Sequence, residues 1–141
     1  MNSDIHTMSR LEIYKNIKHD FNPEPYIKII RNRKHRGMMA RARMGVLPIQ
    51  VEIGRYRGTK RKDRLCQNCN QASVEDVAHL LLKCPKYKEK RLNFFTEHFK
   101  GVNIHEKNDT ELLNLLLANN EKELIFASAK YLNDIMLFRA S

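Results

Sequence analysis

Three cysteines and a histidine occur at the spacing Cys66-x2-Cys69-x9-His79-x4-Cys84, and these are all the cysteines of the chain. Two cysteines separated by two residues reach one ion from a tight loop, and a His and a Cys four apart form a usual second pair for zinc. The spacing predicts one structural Zn2+ held by Cys66, Cys69, His79 and Cys84. On a continuous helix His79 and Cys84 would sit ~500° apart in rotation, or ~140° off one face. Cys84 precedes Pro85, however, and a residue before proline is pushed out of the helical region. The chain can therefore leave the helix at Cys84 and turn its sulfur back towards His79.

Three thiolates, a neutral imidazole and a divalent ion leave one net negative charge. Arg64, Lys83 and Lys86 flank the ligands and could offset it. Donors to the sulfurs are expected too, but the pattern does not name them. The other histidines, His6, His19, His35, His98 and His105, are scattered and read as solvated residues. Four Cys/His ligands close a tetrahedral shell, whereas a catalytic zinc keeps a position open. The chain has no phosphate-cradling glycine loop, no nucleophile elbow and no His-Glu-x-x-His. The expectation is a non-enzyme.

A length of 141 residues suits one domain able to bury a core of its own, so the ion need organise only part of the fold. An odd cysteine count and an N-terminus without an apolar run predict an intracellular, reducing setting in which thiols stay available to metal. No apolar stretch is long enough to cross a membrane.

The fold class expected is mostly α, a small helical domain organised around the CCHC site, with a short extended segment before the Cys-x2-Cys loop. Residues 9–64 form a basic helical part, 65–91 the zinc-binding motif and 92–139 the C-terminal helices. Ser9-Arg-Leu-Glu12 is a capping box opening a helix with Leu11, Tyr14 and Ile17, which stops before Asn22-Pro-Glu-Pro25. A second helical stretch runs from Tyr26 into Arg36, and Gly37 separates it from Met38–Met44, with Gly45 as C-cap. Val46–Ile53 alternates and reads as extended, and 54–64 as a basic loop. Ser73-Val-Glu-Asp76 is a second capping box, for a helix burying Val77, Leu80 and Leu81. Helices follow over Tyr87–Phe99, Thr110–Ala118 and Glu121–Arg139. Their stripes, Leu112, Leu113, Leu116, Leu117 and Leu124, Ile125, Ala129, Leu132, Ile135, Met136, read as helix–helix core.

The net charge of +10 is unevenly distributed. Residues 10–64 hold 16 Lys/Arg against 5 Asp/Glu, whereas residues 65–141 hold 10 of each. A positive field confined to one segment attracts polyanions, of which nucleic acid is the commonest. The candidate phosphate contacts are Arg31, Arg33, Lys34, Arg36, Arg41, Arg43, Arg55, Arg57, Lys60, Arg61, Lys62 and Arg64. Tyr56, between two arginines, could stack on an unpaired base or pack beside the zinc loop. For Arg43 and Arg55 the competing role is an internal ion pair with Glu52 or Glu75. No base-reading code is visible, so weak sequence preference is expected. The neutral second half and its leucine-rich helices support the alternative of a zinc-stabilised protein-interaction or structural adaptor.

The stretch from Arg33 to Arg91 resembles the zinc-binding region near the C-terminus of reverse transcriptases of non-long-terminal-repeat retrotransposons. The residues carrying the resemblance are Lys34-His-Arg36, Met39-Ala-Arg-Ala-Arg-Met-Gly45, Leu47-Pro48, Glu52-Ile-Gly-Arg-Tyr56 and Arg64-Leu-Cys66. They continue through Cys69, Glu75-Asp-Val77, His79-Leu-Leu-Leu82, Cys84-Pro85 and Tyr87. The order of cysteines and histidine matches retroviral zinc knuckles, with a longer middle spacing. The resemblance implies association with element RNA or target DNA, and a nuclear location. It carries no polymerase function, since the catalytic aspartates of those proteins belong to another domain.

Overall fold

The computed structural model describes residues 25–140. The helix expected from Ser9 lies outside the described residues. Among these residues the chain forms six α-helices: α1 (Pro25–Ile29), α2 (Arg33–Met44), α3 (Gln50–Tyr56), α4 (Lys88–His98), α5 (Asp109–Leu117) and α6 (Lys122–Ala140). A π-helical turn covers His79–Lys83 and short 3-10 turns fill the connections. Among the described residues extended pairing is confined to one bridge between Leu65 and Val74. The expected mostly helical class, organised around the Cys/His cluster, is therefore what the chain adopts.

The break between α1 and α2 falls at residues 30–32, not at Gly37, which lies inside α2. Asn32 sets that start: its extended backbone and its Oδ1, which accepts from the His35 N–H at 3.1 Å, make it the N-cap. Gly45 ends the helix with φ 71°, and the Val46 N–H donates back to Arg41 O at 2.9 Å. A side chain would be strained there. Met39, Ala42 and Arg43 face inwards, while Arg33, Lys34 and Arg41 face solvent. Full burial of Met39 alone is worth roughly 1.5–3 kcal/mol.

The extended segment expected over Val46–Ile53 is corrected: the chain is helical from Gln50. Alternating Val51 and Ile53 suggested a strand, but a distant residue supplies the missing helix start. The first backbone donors of α3 have no side-chain cap of their own. Gln50 N–H instead donates to Glu75 Oε1 at 2.8 Å, and Val51 N–H to Glu75 O at 3.0 Å.

The last helix, α6, is the axis of the core. It packs against α1, α2, α4, α5 and the π turn. Phe94 of α4 stacks on Tyr131 of α6 with ring centroids 4.4 Å apart. From α5, Leu113, Leu116 and Leu117 join Ile125, Leu132 and Ile135. A full capping box starts α5, with Asn108 Oδ1 accepting from Glu111 N–H at 2.8 Å and Glu111 Oε1 accepting from Asn108 N–H at 3.1 Å. No helix of the described residues is long and apolar enough to cross a membrane.

Candidate metal centre

The loop that carries the cysteines is built before any ion is considered. Leu65 and Val74 pair across it, Cys66 N–H donates to Ser73 O at 2.8 Å, and Glu75 N–H to Arg64 O at 3.0 Å. Between these limbs Ala72 adopts φ 52°, a left-handed turn that reverses the chain. Cys66 and Cys69 are thereby held on the inner side of one closed loop.

Helix entry after the loop is capped by Asp76, not by Ser73. Asp76 Oδ1 accepts from the His79 N–H at 2.8 Å, whereas the Ser73 hydroxyl is engaged locally with Gln71 O. Ser73 and Asp76 both belong to the cap-forming residue types, and only the loop geometry decides between them.

The π turn resolves the mismatch between His79 and Cys84. Cys84 N–H donates to His79 O at 2.8 Å, five residues back, so the turn is one residue wider than α. That wider turn brings residues five apart near one another. At Cys84 the backbone is extended, with ψ 125°, as the following proline requires. Proline and π turn act together, and the second was not visible in the spacing.

The four donor atoms lie within 4.8 Å of one another. Cys66 Sγ is 3.9 Å from Cys84 Sγ, and Cys69 Sγ is 3.5 Å from His79 Nε2. A tetrahedron with zinc-like bond lengths has S···S edges of ~3.8 Å and S···N edges of ~3.6 Å. The cluster can therefore close around a single metal ion. Cys66, Cys84 and His79 are buried, and Cys69 is half-buried.

Burial shapes the acid–base state of these groups. It pushes the Cys66 thiol up to about 12, partly opposed by the Asn68 N–H, which points at Cys66 Sγ from 3.4 Å. It raises Cys84 as well, opposed by the Lys86 backbone N–H. It lowers His79, against the pull of Asp76 and Glu75, so the imidazole is kept neutral and able to ligate. The two backbone N–H groups are sulfur donors of the kind a bound thiolate needs.

The cations expected to offset the site's charge have other partners. Lys83 pairs with Asp109 at 2.8 Å, and Lys86 Nζ reaches Asn68 Oδ1 at 3.4 Å. Arg64 bridges backbone, donating to Thr59 O at 2.8 Å and Val51 O at 3.0 Å. Its stem crosses Gly54 so closely that a Cβ there would stand 2.4 Å from Arg64 Cγ. The cation touching the ligand backbone is Arg91, which donates to Cys84 O at 3.2 Å.

The basic residues of 31–64 divide into two groups. Arg43 is buried, donates to Leu117 O and lies over the Tyr26 ring, so it is corrected from phosphate contact to core. Arg64 is half-buried and donates to backbone carbonyls. Arg36 reaches Ile30 O at 3.3 Å, and Arg61 lies 3.7 Å from Asp76. Arg55 pairs with Glu52 through two contacts of 3.0 and 2.9 Å. Arg31, Arg33, Lys34, Arg41, Arg57, Lys60 and Lys62 are exposed. Tyr56 is 76% exposed and does not pack beside the metal loop.

Sequence reasoning missed two supports of the site. Glu75, fully buried, ties the loop to α3 and to Arg139 of α6. The Tyr131 hydroxyl donates to Leu81 O at 2.9 Å and anchors the π turn. Both partners lie far away in sequence, so no local signal exists for either. No protein-family model matches the chain, and comparison with curated proteins and with solved structures finds no match either.

Proposed function

We propose that this chain is a non-enzymatic, nuclear nucleic-acid-binding module stabilised by one structural zinc ion. We propose further that it is related to the C-terminal zinc-binding region of non-long-terminal-repeat retrotransposon reverse transcriptases. Zinc is favoured over harder cations by a donor set of three sulfurs and one imidazole, with edge lengths that suit its bonds. Four mutually facing donors leave no position for a substrate, which favours a structural ion over a catalytic one.

The nucleic-acid reading is carried by one observation. From residue 25 to residue 51 the chain holds seven Lys/Arg and no Asp or Glu. Within it α2 presents Arg33, Lys34 and Arg41 on its solvent side, and Arg57, Lys60 and Lys62 continue the exposed charge after α3. Exposed cations in a segment dominated by one sign of charge are suited to phosphate contact and give binding that falls steeply with salt. A titration with single-stranded RNA, duplex RNA and duplex DNA at two salt concentrations tests this. Affinity should drop on the order of 10³-fold between roughly 50 and 200 mM salt. No binding at low salt would sink the reading.

A protein-interaction adaptor is the second reading, favoured by a different surface. A cleft of about 600 Å³ between α4 and α6 is floored by Phe94, Phe126, Ala127 and Tyr131 and rimmed by charges. An adaptor would show no nucleic-acid binding in the same titration.

A further inference from the structure

On the reading that the basic segment contacts nucleic acid, we infer that Tyr56 stacks on an unpaired base, so that the ligand class is single-stranded nucleic acid. The ring ends α3 and, among the described residues, is the most exposed large apolar side chain, at 76%. Its recorded contact is with the neighbouring Arg55.

One face of the ring is already occupied. The Arg55 guanidinium lies over it, 4.5 Å from the centroid. Arg55 is itself fixed by its two-point contact with Glu52, whose side chain is almost fully buried. A bidentate clamp of this kind holds a guanidinium in one plane. The ring is thus backed by a cation and turns its other face to solvent. A planar base brought against that open face would complete a stack of guanidinium, phenol and base. Arg57, Lys60 and Lys62 lie exposed in the residues that follow and supply charge for the flanking phosphates.

The geometry selects against duplex. Paired bases turn their π-faces to each other, and inserting a ring between them costs unstacking energy, so a protruding ring favours unpaired bases. Every unpaired base has a free face, so the stack tolerates any sequence and either sugar. Arg55 acts as a positioning residue for the ring.

The test measures affinity of the zinc-loaded protein for polyuridylate, polythymidylate and a mixed-sequence DNA duplex. Wild type, Tyr56→Phe and Tyr56→Ala are compared at low salt. An exposed ring can be removed without unfolding the chain, and unchanged zinc content and thermal midpoint verify this. The expected result is an approximately tenfold loss on both single strands in Tyr56→Ala, the size of one stacked base, with Tyr56→Phe retaining wild-type affinity. Duplex affinity should be unaltered in both variants. Equal single-strand affinity in wild type and Tyr56→Ala, or an equal loss on duplex, overturns the inference while leaving phosphate binding intact. Failure of the wild type to bind any of the three overturns the nucleic-acid reading itself.

Discussion

Arg139, near the end of α6, donates hydrogen bonds of 2.8 and 2.7 Å to the carboxylate of Glu75, 64 residues earlier in the chain. The carboxylate is completely buried and the Arg139 side chain is half-buried. Hydrogen bonding to Glu75 raises the affinity of Arg139 for its proton, against the opposing effect of burial. The same carboxylate caps α3 through Gln50 N–H. One ion pair therefore joins the metal loop, α3 within the basic segment and the core helix.

Removing Arg139 should be costly. Arg139→Ala leaves a buried carboxylate short of its two charged donors, and breaking a buried pair from one side costs about 3–5 kcal/mol. Arg139→Lys should recover only part of this, because an ammonium cannot reproduce the two-point contact. Urea unfolding of the three proteins measures both effects. A loss below about 1 kcal/mol for Arg139→Ala, the range of an exposed pair, would contradict the role assigned to it.

That pair also marks the limit of what is legible in the sequence. The metal quartet could be read from spacing alone, because the ligand residues are rare and close together. Helices α4, α5 and α6 could be read from apolar periodicity and breakers, and Gly45 from its place after Met44. Charge direction could not be read. Arg43 and Arg64 look like Arg41 and Arg57 in sequence, yet the first two face backbone carbonyls and the others face solvent. The helical state of 50–56 was hidden for a related reason, since its cap comes from Glu75. The π turn at His79–Lys83 was hidden because its periodicity differs from α by a single residue.

Metal affinity should rise with pH. Burial raises the Cys66 and Cys84 thiols, so without metal both hold their protons through the neutral range. Binding must expel those protons. Burial lowers His79, so above its depressed pKa it is already neutral and adds no proton to the exchange. The affinity constant should therefore increase by at least about a hundredfold per pH unit between roughly pH 6 and 8, two protons being released. Competition with a metal-binding dye across that range measures the slope. A flat profile would exclude thiolate ligation.

Gly54→Ala tests the crossing of Arg64 over α3. The added Cβ meets Arg64 Cγ at 2.4 Å, and the guanidinium is tied to Thr59 O and Val51 O, so the stem has little room to move. Overpacking of this kind costs about 1–3 kcal/mol. In an Arg64→Ala background the same change should cost little, which a double-mutant cycle by thermal unfolding would reveal. Additive losses would mean that Arg64 is not what Gly54 accommodates.

Stripping the metal should loosen one region and spare another. Most of the buried core lies outside the four ligands, of which only Cys66 and Cys84 belong to it. Far-ultraviolet circular dichroism should therefore keep most of its helical signal in a chelator, while amide protection collapses across 64–84. Global unfolding on chelation would show that the ion holds up the whole domain.

The most direct measurement is metal analysis of the purified protein combined with X-ray absorption at the metal edge. The expected result is about one zinc per chain, bound by three sulfurs at ~2.3 Å and one nitrogen at ~2.0 Å, and absent from Cys69→Ser. A metal-free native protein, an oxygen-dominated shell, or undiminished zinc in Cys69→Ser would contradict it.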